Sequence, residues 1–246
     1  MSYVQPDEYH FSLDSVQLAQ RVAQYYLQKP NLELPLKNVL DLCAGTGVIG
    51  IEFLHFFPQI ENLHFIEVQS KYETYFLQNK DIFHSKSISE NQNAVETQWH
   101  WHNMNYKDIH PVVNGQDVHP VMNYQTNQSM NINLPNERLP SNENLPLEPM
   151  DLILSNPPYF KLGQGKMSRS ELKNRSRFFI DSDFETFCQV IPMLLKPNAE
   201  AHLVFRPLTE HKWDLIKDLQ WELRPYGQVD VMGDIRTAKW VRFIKK

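Results

Sequence analysis

Asn156, Pro157, Pro158 and Tyr159 follow an apolar run, Leu152-Ile153-Leu154, after the single residue Ser155. Neither proline has a backbone N–H to donate, and each fixes φ near about −65°. The pair therefore stiffens the exit from the run and leaves carbonyls free without adding competing donors. The Asn156 amide oxygen and the Pro157 carbonyl can together accept both hydrogens of one NH2 group, and Tyr159 can stack on a flat partner. Such an amine, with its lone pair delocalised into an amide or an aromatic ring, is a poor nucleophile. Two acceptors orient it for in-line attack on an electrophilic carbon and stabilise the positive charge that builds up on nitrogen. That chemistry calls for no metal and no strong base.

A second cluster begins at Asp41, in the run Asp41-Leu-Cys43-Ala44-Gly45-Thr-Gly47-Val-Ile-Gly50. Three glycines in a G-x-G-x-x-G array between an apolar run and an amphipathic segment read as strand, tight turn and helix. In a doubly wound sheet such a turn lies at the carboxyl ends of the strands, where ligands bind. Glu67 ends the next strand, and a carboxylate there can accept both hydroxyls of a ribose. These features fit a nicotinamide dinucleotide or S-adenosylmethionine. Asp41 favours the second, because a carboxylate pointing into the turn repels a pyrophosphate and attracts the ammonium of a methionine moiety.

The elements that position these residues can be read from periodicity. Val16, Leu18, Ala19, Val22, Ala23, Tyr26 and Leu27 fall at helical spacing, with Asp14 or Ser15 as the cap. Strands are expected over the segments at 38–42, 62–68, 97–105, 150–156 and 200–206, and in two C-terminal runs. Helices are expected from Lys71 to about His84, near 183–195, after the Lys196-Pro197-Asn198 turn and strand at about 209–219, and following Gly45. Strands alternating with helices predict an α/β fold, a mostly parallel seven-stranded sheet with helices on both faces. The chain reads as a single domain over 1–246, with an N-terminal helical element at 1–37. An insertion over 110–149, rich in Asn, Gln and Pro, is expected to be loosely ordered.

The chain has 246 residues, 24 basic against 29 acidic, for a formal charge of −5, which argues against attraction of the whole surface to nucleic acid. Its two cysteines, Cys43 and Cys188, are too few for a disulfide scaffold or a zinc cluster. No signal peptide or membrane span is recognisable, so a cytoplasmic setting and no membrane partner are expected. His100 and His102 in Trp-His-Trp-His alternate onto one strand face and are not read as a metal pair, so no metal is expected. Trp213, Trp221 and Trp240 read as core.

Taken together, the glycine turn and Ser155-Asn-Pro-Pro-Tyr-Phe160 resemble the class I S-adenosylmethionine-dependent amino-methyltransferases, which act on adenine N6, cytosine N4, guanine N2 or a glutamine amide. The segments Phe11-Ser-Leu-Asp-Ser15, Asn156 to Phe160 and Asn174-Arg-Ser-Arg-Phe-Phe179 are most similar to the bacterial valine-tRNA adenine-N6 methyltransferases. The resemblance implies a Rossmann-like class I methyltransferase fold, S-adenosyl-L-methionine as cofactor, and tRNA or another structured RNA as partner. It implies that Asn156, Pro157, Pro158 and Tyr159 position the target amine and that Phe160 lines the base pocket. Asp41, Cys43, Ala44, Gly45 and Gly47 would border the methionine moiety, Glu67 would hold the ribose, and Asp14 and Ser15 would sit near the carboxylate end of the donor. Asn105 stands where the family usually has an acidic residue near the donor adenine, with Asp108 three positions later.

The segment 161–177 carries Lys161, Lys166, Arg169, Lys173, Arg175 and Arg177 against Glu171 alone. Read as a flexible basic loop, it would contact phosphates and position RNA without reading its sequence. Three other readings stay open: a glutamine N5-methyltransferase acting on a protein such as a release factor, a methyltransferase of another nucleic-acid amine (guanine N2 or DNA adenine), and a catalytically silent RNA-binding paralogue. The forty or so residues before Gly45 leave little room for the helical domain usual in the glutamine enzymes. A monomer is the favoured state.

Overall fold

The computed structural model describes residues 3–10, 13–29, 36–87, 96–113, 116–117, 146–206 and 213–246. In chain order the elements are α1 (Leu13–Leu27), β1 (Asn38–Leu42), α2 (Val48–Leu54), β2 (Asn62–Glu67), α3 (Lys71–Ser87), β3 (Gln98–Asn103) and a 3-10 turn (Tyr106–Asp108). The short strands β4 (His110–Val113), β5 (Gln116–Asp117) and β6 (Pro146–Leu147) follow, then β7 (Met150–Ser155), α4 (Glu171–Arg177) and α5 (Phe184–Leu194). The chain closes with β8 (Leu195–Phe205), α6 (Leu215–Leu223), β9 (Gly227–Ile235) and β10 (Ala238–Lys245).

Seven strands form one sheet in the order β3-β2-β1-β7-β8-β10-β9. All neighbours from β3 to β8 pair in parallel, and β10 runs against both β8 and β9. Residue alternation divides the core between the two faces. Val39, Leu152 and Leu154 pack with Leu18 and Val22 of α1 and Phe53 of α2. Leu40, Leu42 and Ile153 point the other way, onto Phe187 and Ile191 of α5 and Leu219 of α6. A fully buried parallel strand such as β1 needs cover on both faces, and the helices supply it.

Several elements depart from the sequence reading. Helix α1 begins at Leu13, so Asp14 and Ser15 lie inside its first turn rather than capping it, and both are buried. The expected turn at Lys196–Asn198 is a strand irregularity: β8 starts at Leu195, and Asn198 takes φ 62° where the register against β7 shifts. The supposed flexible basic loop is half helix, because Ser170 caps α4 by accepting from Lys173 N–H. The ends of the expected loose insertion are strands, with β4 pairing antiparallel to β5 and parallel to β6. Its interior, 118–145, lies outside the described residues. Trp213 and Trp240 are core, but Trp221 is 70% exposed on α6 because it falls on the face of that helix opposite Leu215 and Leu219.

His100 and His102 do share a half-buried face, and His64 of β2 joins them, with ring centroids 4.5 and 5.4 Å away. Burial pushes His64 down to about 3 and His102 to about 4, so these rings are neutral at physiological pH. Among the described residues no set of three or more His, Cys, Asp or Glu is arranged to hold a metal ion, and no helix is long and apolar enough to cross a membrane.

The glycine turn is held from below. The fully buried Asp41 carboxylate accepts from Gly50 N–H at 2.9 Å, tying the first turn of α2 to β1. Gly50 also packs directly on β2, and a Cβ there would stand 2.7 Å from the Phe65 ring. Gly50→Ala should therefore destabilise the fold by about 1–3 kcal/mol, the usual cost of overpacking. Urea unfolding monitored by circular dichroism measures it; an unchanged midpoint would show that α2 lifts off β2 at no cost.

Candidate active site at the carboxyl ends of the central strands

Strand order reverses between β1 and β7, since the chain fills β2 and β3 on one side and β8 onward on the other. Crossovers leave a crevice at such a point, outside the carboxyl ends of the strands. Here the crevice is a cavity bounded by the glycine turn, the end of β2, the Asn156–Tyr159 segment and the residues after α4.

On the β1 side, Cys43, Ala44 and Gly45 line the cavity. Cys43 takes φ 61° and Gly45 φ 54°, so alternate left-handed residues turn the backbone under the cavity floor. An added Cβ at Gly45 meets nothing within 4 Å, which leaves open space against the turn. Glu67 reaches across from β2. One carboxylate oxygen accepts from Gly45 N–H and the other from Gln69 N–H, each at 2.9 Å. Each oxygen keeps a second lone pair, so the pair can still accept two hydroxyls. Burial raises the Glu67 carboxyl to about 7, against the lowering by its two N–H donors.

Two glycine-turn residues leave the cavity. Asp41 lies beneath the turn, where it bonds Gly50, and does not line the cavity; burial holds its carboxyl well above the ordinary carboxylate range. Gly47 does not line it either. Its φ of 76° and the 2.7 Å approach of an added Cβ to Phe76 make it a packing glycine.

On the β7 side, the Ser155 hydroxyl donates to the Leu42 carbonyl and pins the end of β7 to β1. Asn156, Pro157, Pro158 and Tyr159 then all line the cavity. The Asn156 amide nitrogen donates to Ser15 Oγ at 2.7 Å, and the Tyr159 hydroxyl bonds Asn156 Oδ1. Thus Ser15, expected near the donor, is in contact with the amide that would hold the acceptor. Asp14 stays outside the cavity, 3.7 Å from Arg236.

The segment after α4 closes over the cavity. Tyr159 N–H and Phe160 N–H both donate to the Arg177 carbonyl, each at 3.0 Å, and Phe179 N–H donates to the Phe160 carbonyl. Ser176 contacts Gln69 and Tyr72 on the β2 side, at 3.1 and 2.8 Å. Phe160 is consequently buried against Phe178, ring centroids 5.3 Å apart, and does not line the cavity as expected. Arg175 lines it, but its guanidinium is held bidentately by Asp181 at 2.8–3.1 Å and is not free for phosphate. Lys161 is paired with Glu185 at 3.2 Å and lies over the Trp213 ring. Lys166 and Arg169 are exposed, and Arg177 packs over Phe160 and Phe178. Asn105 does reach the cavity, donating to the Asp181 carbonyl at 2.7 Å.

Tyr9, Gln69, Tyr72, Ser176 and Asp181 were not visible as site residues, because no motif marks them and only the tertiary fold brings them to the cavity.

No protein-family model matches the chain, and no curated protein matches it in sequence. Solved structures do match. A candidate methyltransferase of Escherichia coli, yhhF, is 8% identical, with 99% of this chain and 91% of that chain covered at a TM-score of 0.50. A fibrillarin/Nop5p complex is 11% identical, covering 100% and 91%, also at 0.50. Magnesium protoporphyrin IX methyltransferase from Synechocystis PCC 6803, solved with bound S-adenosylmethionine, is 9% identical, covering 95% and 81%, at 0.48. The chain has the mixed α/β, Rossmann-like fold of the class I methyltransferases.

If Glu67 holds a ribose as the carboxylate, S-adenosylhomocysteine should bind about tenfold more tightly at pH 8 than at pH 6, as the group ionises through about 7. Glu67→Gln should weaken binding and flatten that profile. Calorimetric titration at both pH values checks this, and a wild-type affinity that does not change would remove Glu67 from the donor site.

Proposed function

We propose that this chain is an S-adenosylmethionine-dependent N-methyltransferase that methylates adenine N6 in tRNA, in the region of the anticodon loop. The observation that carries the reading is the placement of Asn156 in the same cavity as the Gly45 and Glu67 cradle. The donor fits what is there: open space against Gly45, a carboxylate with two spare lone pairs, and Asn105 beyond it. When bound, S-adenosylmethionine supplies an electrophilic methyl carbon.

The residues of the chain do the rest. Asn156 Oδ1 and the Pro157 carbonyl accept the two hydrogens of the target amine and aim its lone pair at the methyl group. With the donor bound, transfer of its methyl group would place positive charge on nitrogen, and both acceptors would stabilise it there. The methylated amine then gives up a proton to water. Tyr159 supplies an aromatic face for the base, and Ser176 with residues 178–182 lines the same cavity.

Adenine in a loop suits this site because loop bases are already partly unstacked and reach a recessed amine pocket at low cost. Lys166 and Arg169 are exposed cations on the segment following the motif, suited to phosphate contact. Purified protein with labelled S-adenosylmethionine should methylate total unmodified tRNA. Asn156→Ala should lower the rate by about 10²–10³-fold while S-adenosylhomocysteine binding persists. Label appearing in protein and not in tRNA would overturn the RNA reading in favour of a glutamine amide.

A further inference from the structure

We propose that Arg206 is the second face of the acceptor site, stacking on the target base from the side opposite Tyr159; the inference rests on the RNA reading above. In the parallel pairing of β7 and β8, Ser155 stands opposite Leu203. Asn156 leaves β7 one residue later and Arg206 follows β8 immediately after Phe205, so both emerge at the same end of adjacent strands. The Arg206 guanidinium carbon lies 5.6 Å from the centre of the Tyr159 ring.

That guanidinium is the uncommitted one at this rim. Arg175 is spent on Asp181, and Arg177 packs over Phe160 and Phe178. Arg206 is exposed, and among the described residues no carboxylate makes an ion pair with it. Its contact is the Tyr159 ring, whose hydroxyl is bonded to Asn156 Oδ1. A base whose amine takes the remaining lone pair of that oxygen would lie along the Tyr159 ring, on the face over which the guanidinium now stands.

A flat base between two planes needs two van der Waals spacings, about 7 Å in all. The present 5.6 Å therefore has to widen by only about 1.4 Å, which an exposed, unpaired arginine side chain can give by rotation. The guanidinium then meets the far face of the base as a plane on a plane, keeping a cation–π contact throughout. At rest it shields the Tyr159 ring from water; in the complex it closes a sandwich. A glutamine side chain offers too small a face to use this arrangement, so Arg206 selects for a nucleobase.

The test is steady-state methyl transfer to total unmodified tRNA by wild type, Arg206→Ala and Arg206→Lys. Arg206→Ala should raise KM about 5- to 30-fold, with the loss falling on KM more than on kcat, and Arg206→Lys should recover little of it, since an ammonium keeps the charge and loses the plane. S-adenosylhomocysteine affinity should stay at the wild-type value, showing an intact donor site. A wild-type KM in Arg206→Ala overturns the proposal, as does full rescue by lysine, which would make Arg206 a simple phosphate charge. Both are distinct from failure of the RNA reading, in which the wild type itself leaves tRNA unlabelled.

Discussion

Strand β1 is hydrogen-bonded to a parallel neighbour along both edges, and the placement of the site depends on how the chain leaves it. No extension of the strand is possible there, because the chain must rise over the sheet to start α2. Left-handed residues make the turn, and side-chain bonds from three strands help hold it: Asp41 to Gly50 below, Glu67 to Gly45 from β2, and Ser155 to Leu42 from β7. Each comes from a different strand end. The floor of the cavity is thus rigid because it is where three strands are tied together.

Against that floor, the acceptor side is built by chain that returns over the top. The Arg177 carbonyl takes two N–H groups from Tyr159 and Phe160, fixing the segment beyond the prolines in an extended course. Ser176 carries the same segment to Gln69 and Tyr72 on the far side. The region after β7 therefore spans the cavity, from the residues that would hold an amine to those that would hold a ribose. A basic composition suggested a mobile surface loop, but the segment is largely tied to protein: Arg175 to Asp181, Asn174 to the Ser168 backbone, Lys161 to Glu185.

How much could be read from sequence follows from which interactions are local. The strand–turn–helix at Asp41–Gly50, the alternation on β1 and β7, and the gathering of Gly45, Glu67 and Asn156 all follow from periodicity and one topological rule. Roles within a motif did not follow. Asp41 and Gly47 belong to the motif, yet Asp41 lies in β1 beneath the turn, bonded to Gly50, and Gly47 packs against Phe76. Phe160 continues the motif but is drawn into the core by Phe178, a partner eighteen positions away that no spacing announces. Trp221 was read as core from its type alone, and only the helical phase of Leu215, Leu219 and Leu223 shows which face of α6 it occupies.

The small three-stranded sheet has a consequence for the chain's own history. His110 pairs with Pro146 and Pro111 with Leu147, so the two ends of the Asn-rich segment are fastened side by side before any of its interior is specified. Buried Ile109 and Leu147 anchor that clasp in the main core. Closing a longer or shorter span between fixed ends changes the entropy only logarithmically, by about 0.6 kcal/mol per doubling. The clasp holds Asp117 and Pro146 on the two sides of β4, so a change in the length of the interval between them alters its closure entropy little.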